Sequence, residues 1–212
     1  MLTDTQINDL AHKMDIPLEG CFFKDELPSK LNVNKVYIIN MEDSVDDEGN
    51  QNQGTHWTMA YIRETPNGKL QPIYFDPYGV SPPENVKNII KKQTKINCPY
   101  THKDIQSLMN NACGFYCLAC AHFICSNKYR QNNLYDDVDT FLDMFDDLNT
   151  SIDWKKNEYI LKHFFLSEDP NTRKPVDVLS QTHNDYDRIL NEDEKGGVDM
   201  MKIPVGVKMM DK

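Results

Sequence analysis

Nowhere in these 212 residues does an apolar run reach the roughly 20 residues that span a membrane, so no transmembrane helix is expected. The opening MLTDTQINDLAHKM lacks both the basic start and the apolar middle of a secretory signal peptide, which points to synthesis in a reducing compartment. Six cysteines without an oxidising context then read as free thiols rather than a disulfide framework. Positive charge is in deficit: 23 Lys and Arg stand against 33 Asp and Glu, a net charge of −10. That balance gives no reason to expect nucleic acid or an anionic membrane as partner. Internal repeats are absent, and the length suits one domain with an extension better than two domains.

A local absence says more. Between Asn111 and Ser126 there is no Lys, Arg, Asp or Glu. A helix over this stretch, with Asn111 as N-cap, must be covered on most sides. Its entrance is unusual for a core helix. NNACG puts Cys113 in the first turn, where backbone N–H groups lack intrahelical partners and the helix dipole favours an anion. A thiolate nucleophile is suited to that environment. Gly114 has no side chain and would let a substrate backbone approach closely.

The surrounding pattern is mixed. Residues 4–13 read as an amphipathic helix capped by Thr3 or Asp4, with Ile7, Leu10 and Ala11 on one face. Residues 34–41 read as a buried strand and 42–54 as an acidic loop. Residues 56–63 and 70–79 read as strands joined across the turn signal Asn67-Gly68. A helix is expected over 81–95, with Val86, Ile89 and Ile90 inward and Lys87, Lys91 and Lys95 on a solvated face. Two more are expected over 135–148 and 153–165. In the first of these the aspartates read as the wet side of a helix whose Val138, Phe141, Leu142 and Phe145 face the core. After Leu166, SEDPNTRKP reads as a linker and 176–190 as a weak helix. The expectation is an α+β domain over 1–167 with a partly flexible extension over 168–212.

A thiolate needs an imidazole partner, and that partner needs an orienting acid. Of the six histidines, His56 stands at the start of a strand, after a glycine-bearing loop and before Trp57. A two-residue turn at Asn67-Gly68 would set residue 56 across from 79 and place Asp76 at the same end of the hairpin. Pro66 leaves that register open by a residue or two. Pro77 keeps Asp76 extended and ends the strand. Gln106, seven residues before Cys113, offers a neutral donor for a tetrahedral oxyanion beside the Cys113 N–H. Singly, each feature has a plain structural reading, since a buried cysteine packs as a small hydrophobe and DPYG is an ordinary turn. The ordered set His-Trp, Asp-Pro, Gln, Cys-Gly is more specific, because every member has a distinct and necessary role. Cys117, Cys120, His122 and Cys125 do not converge on a helix as zinc ligands would, so no metal or other cofactor is expected.

With HW, YFDPYG and the Gln-to-Cys-Gly spacing, the segments PLEGCFFKDELP and YIINMEDSVDDEGNQNQGTHW complete a resemblance over about residues 1–130. The chain resembles the adenain-like cysteine proteases, the maturation protease of adenoviruses and, more closely, its relatives in virophages, polinton-type elements and large DNA viruses. The resemblance implies a papain-related α+β fold, also Ulp-like, in which a buried helix carries the nucleophile against a central sheet. It implies His56 as general base, Asp76 as its orienter (a glutamate in adenain), Cys113 as nucleophile and Gln106 as oxyanion donor. Trp57 would pack beside the imidazole, and Trp57 and Gly114 would line the substrate cleft. It implies cleavage of capsid or other virion precursors at glycine-containing sites, in the host-cell cytoplasm and then the virion. A monomer is expected; a peptide activator is left open, and the acidic total speaks against a DNA cofactor. The same glycine preference makes Gly197–Val198 a candidate for self-cleavage. Two alternatives stand beside this reading: a ubiquitin-like-protein isopeptidase, and a catalytically inactive scaffolding or packaging protein of the same fold.

Overall fold

The structure, a computed structural model, describes residues 1–108, 110–127, 129–131, 133–149, 154–168 and 175–177. The first helix, α1 (Asp4–Lys13), starts from a capping box. The Thr3 hydroxyl accepts the Gln6 N–H at 3.3 Å, and the Gln6 side chain accepts the Thr3 N–H at 2.9 Å. Two otherwise unpaired donors are satisfied reciprocally, a contribution of about 1 kcal/mol. Thr3, not Asp4, is therefore the cap. Ile7, Leu10 and Ala11 are buried where α1 packs on the sheet and on the central helix.

Four strands form a mixed sheet in the order β1 (Leu18–Phe23), β2 (Val36–Asn40), β3 (Trp57–Glu64), β4 (Leu70–Phe75). β1 runs parallel to β2, and the other neighbours are antiparallel. The sequence reading missed β1. LEGCFF lacks an alternating pattern, and its register with β2 breaks between Leu18 and Gly20. All five residues of β2 are buried because both sheet faces are covered, which explains the continuous apolar run VYIIN. On one face Tyr37, Ile39, Ala60, Ile62 and Tyr74 meet Val86 and Ile90 of α2 (Glu84–Thr94). The main core lies on the other.

The β3–β4 hairpin closes differently from a two-residue turn. Glu64 pairs with Leu70, so residues 65–69 form the connection, with Gly68 at φ 75°. Met59 faces Phe75. Continuing that register sets His56 opposite Tyr78, one residue short of the position 79 that a two-residue turn gives.

The central helix α3 (Cys113–Cys125) is buried at every position except His122 and Cys125, as its lack of charge requires. Its N-cap differs from the expected one. Ala112 holds the cap position without a side-chain hydrogen bond, and Asn111 is exposed. The neighbouring Asn110 takes the work instead, because its Oδ1 turns back to accept the Ala112 N–H at 3.3 Å.

Helix α4 (Leu134–Leu142) ends six residues before its expected limit, and α5 spans Trp154–His163. Val138, Phe141, Leu142 and Phe145 are buried as expected. Asp137 is not on a wet face. It is fully buried and pairs at 2.6 Å with the equally buried Arg63 of β3. Arg63 Nη2 also donates to the Ile124 carbonyl at 2.6 Å, and Asp137 Oδ1 accepts the Gln131 N–H at 2.7 Å. Such multiple bonding is what lets a charge pair leave water.

A small antiparallel pair follows, β5 (Leu166–Glu168) with β6 (Pro175–Asp177). Residues 175–177 are thus a strand where the weak helix was expected to begin. The remainder of that expected helix and Gly197–Val198 lie outside the described residues. The architecture is mixed α+β. Among the described residues no helix is long and apolar enough to cross a membrane.

Candidate active site

Three element ends meet at the open end of the β3–β4 hairpin. His56 immediately precedes β3, Asp76 immediately follows β4, and Cys113 opens α3, which packs on β3. His56 Nε2 and Asp76 Oδ1 are 2.9 Å apart. Asp76 is 1% exposed and held from several sides. The same Oδ1 accepts the Tyr78 N–H at 2.8 Å, and the Asp76 N–H donates to the Thr101 hydroxyl at 3.3 Å. The next carbonyl, of Pro77, accepts the N–H groups of Ile105 at 2.9 Å and Gln106 at 3.2 Å. The proline that ends β4 therefore also anchors the loop that carries Gln106.

Opposing forces act on the His56 imidazole. Burial favours its neutral form, but the Asp76 carboxylate and Cys113 outweigh burial and raise the pKa from 6.5 to about 9. At neutral pH the ring is an imidazolium. Its Nδ1 is buried and has no hydrogen-bond partner among the described residues, although the ring interacts with Cys113. Cys113 itself is 2% exposed and begins a helix, where the first N–H groups have no intrahelical acceptor.

Gln106 is buried beside this group, but its amide is not directed simply at the thiol. Nε2 lies 3.2 Å from each of three acceptors: the Tyr78 hydroxyl, the Asn110 carbonyl and Asn110 Oδ1. The Asn110 carbonyl can only accept, which fixes the amide with nitrogen on that side. Asn110 in turn donates its side-chain amide to Glu158 of α5.

The two expected cleft residues differ in their surroundings. Gly114 does not face an open cleft. A Cβ there would stand 3.1 Å from Leu2 Cδ1 and 3.4 Å from Trp57 Cδ1, so the missing side chain makes room for the chain's own Leu2. Trp57 Nε1–H donates to the Leu2 carbonyl at 2.8 Å. The ring stacked on the imidazole is Tyr78, not Trp57, with centroids 4.5 Å apart and planes 23° apart. Trp57 does line a groove of about 620 Å³, together with Leu2, Phe22, Phe23, Asn40 and Gly54. Tyr78 is the residue that sequence reasoning missed, and the hairpin register was the signal that held it.

Burial pushes Cys21 and Cys98 up to about 12, Cys125 to about 11, and Cys117 and Cys120 well above the ordinary value. Cys117 Sγ donates to the Trp57 carbonyl at 3.3 Å, and His122 Nδ1 lies 3.1 Å from the Met14 carbonyl. Among the described residues no three His, Cys, Asp or Glu side chains are grouped to hold a metal ion.

Comparison with known proteins finds no matching family model and no matching curated protein. The functional reading therefore rests on the residues themselves. They bring together an acid, an imidazolium, a thiol at a helix start and a buried amide, a set suited to acyl transfer through a thioester.

Proposed function

We propose that the protein is a cysteine endopeptidase of the adenain-like kind, with a papain-related arrangement of nucleophile helix and sheet, that processes capsid or other virion precursors at glycine-containing sites. The observation that carries this reading is the His56 ring, bonded to buried Asp76 through one nitrogen and interacting with Cys113, its other nitrogen having no hydrogen-bond partner among the described residues. In the proposed reaction the Cys113 thiolate attacks the scissile carbonyl carbon. The C–S bond forms, and the carbonyl π electrons move to oxygen. As the tetrahedral intermediate collapses, the C–N bond breaks and His56 delivers its proton to the leaving amine. Water then attacks the thioester, His56 takes its proton, and the acid product leaves as Cys113 is regenerated. Asp76 keeps the ring oriented and stabilises its charged form in both halves.

Glycine at the scissile bond fits a site whose thiol is almost fully buried. The test is turnover of a peptidyl-Gly-Gly-coumarylamide, with parallel iodoacetamide labelling of the six thiols read by mass spectrometry. Cleavage abolished by Cys113→Ala, and labelling of Cys113 ahead of the others, is the expected result. A protein that hydrolyses nothing and labels Cys113 no faster than Cys21 or Cys98 is a scaffold with the same fold and not an enzyme.

A further inference from the structure

Gln106 has two amide hydrogens and three acceptors waiting for them inside the protein. Its carbonyl oxygen is buried and has no partner among the described residues. As placed, the amide has no hydrogen left for a substrate oxygen without abandoning the Asn110 loop or Tyr78. Tyr78 is in the opposite position. Its hydroxyl oxygen accepts from Gln106 Nε2 at 3.2 Å, and its own hydrogen meets no acceptor among the described residues. Its ring lies flat on the imidazole that serves Cys113, and its backbone N–H is fixed by Asp76 Oδ1 at 2.8 Å. Three anchors thus hold the phenol with its ring against the imidazole and its O–H without an acceptor among the described residues.

We propose that Tyr78 is a catalytic residue of the acyl-transfer reaction: its hydroxyl donates to the tetrahedral oxyanion, and Gln106 acts through it by donating to the phenol oxygen. This assignment rests on the peptidase reading above. The order of donation, amide N–H to phenol oxygen and phenol O–H to oxyanion, polarises the O–H in the direction the developing charge requires. Burial, with the charges of Cys113 and Asp76 adding to it, pushes the phenol pKa to about 12, so the hydrogen remains in place through neutral and mildly alkaline pH. Gln106 is then a positioning residue for Tyr78, a role different from the direct donation expected from the sequence. The second donor is the Cys113 N–H at the start of α3.

Tyr78→Phe keeps the stacked ring and removes only the hydroxyl. Three measurements on the full-length protein separate the possibilities: turnover of a peptidyl-Gly-Gly-coumarylamide, inhibition by the matching peptide aldehyde, and the iodoacetamide rate at Cys113. The aldehyde forms a thiohemiacetal with a tetrahedral oxygen, whereas alkylation by iodoacetamide forms none. The expected loss in kcat for Tyr78→Phe is about 10- to 100-fold, somewhat below a full single-donor loss because the backbone donor remains. Aldehyde affinity falls by a similar factor, KM changes by less than about threefold, and the iodoacetamide rate stays within about twofold. Unchanged kcat and aldehyde affinity overturn the assignment alone. A parallel fall of the iodoacetamide rate also overturns it, because Tyr78 then serves only the packing of His56. A wild-type protein that turns over no peptide overturns the peptidase reading and this assignment with it.

Discussion

Replacing Asp76 by asparagine should discharge the imidazolium without dismantling the site. Asp76 Oδ1 accepts from both His56 Nε2 at 2.9 Å and the Tyr78 N–H at 2.8 Å, and an asparagine oxygen can keep both bonds. What disappears is the negative charge. With a pKa of about 9, His56 is roughly 97% protonated at pH 7.5. The Asp76 hydrogen bond leads the effects that raise this value; in the variant burial still lowers it and Cys113 still raises it, so the ring should titrate well below the wild-type value. The folded-state pKa lies above the unfolded one. The stabilisation is therefore complete below about pH 6.5 and is lost as pH rises through about 9. Its full size is about 3 kcal/mol, from 1.36 kcal/mol per pH unit. The assay is an NMR titration of the His56 ring in wild type and Asp76→Asn, paired with denaturant unfolding at pH 6 and pH 9. Wild type should lose stability over that interval far more than the variant. A variant ring that titrates within half a pH unit of wild type would refute the reasoning.

Three further outcomes follow from particular contacts. Asp137→Ala leaves Arg63 charged, buried and without its carboxylate, and should cost about 3–5 kcal/mol in denaturant unfolding; a loss under about 1 kcal/mol would show that water reaches the guanidinium. Gly79→Ala should cost about 2 kcal/mol or more, because Gly79 has φ 68° and a Cβ there would stand 2.6 Å from the His102 backbone oxygen; a loss under about 0.5 kcal/mol in thermal unfolding would contradict that geometry. At pH 7.5 brief iodoacetamide treatment should leave Cys21, Cys98 and Cys125 unmodified, since their pKa values of about 11 to 12 keep the reactive thiolate below roughly one part in a thousand. Peptide mapping that finds Cys98 modified as fast as Cys113 would contradict it.

The legible parts of this protein are those that local physics decides. The absence of Lys, Arg, Asp and Glu between Asn111 and Ser126 required a covered helix, and α3 is that helix. The glycine-bearing turn and Pro77 marked a hairpin with His56 and Asp76 at one end, and the two side chains meet there. What escaped depends on contacts distant in sequence. Asp137 looks solvated within its own helix, and only Arg63, 74 residues away, explains its burial. Gly114 looks like an opening until Leu2 is seen to fill it. Tyr78 was hidden by one residue of hairpin register, a quantity that Pro66 and the 65–69 connection decide. The Gln106 amide could be placed near the site by spacing, but its direction is set by the Asn110 carbonyl.

The most direct test of the central claim is to incubate the purified protein, and separately its Cys113→Ala variant, with the major capsid protein from the same source and to read the fragments by mass spectrometry. The account predicts a cut beside glycine that the variant does not make. An intact capsid protein with wild type, together with Cys113 no more reactive than the five other thiols, would contradict it.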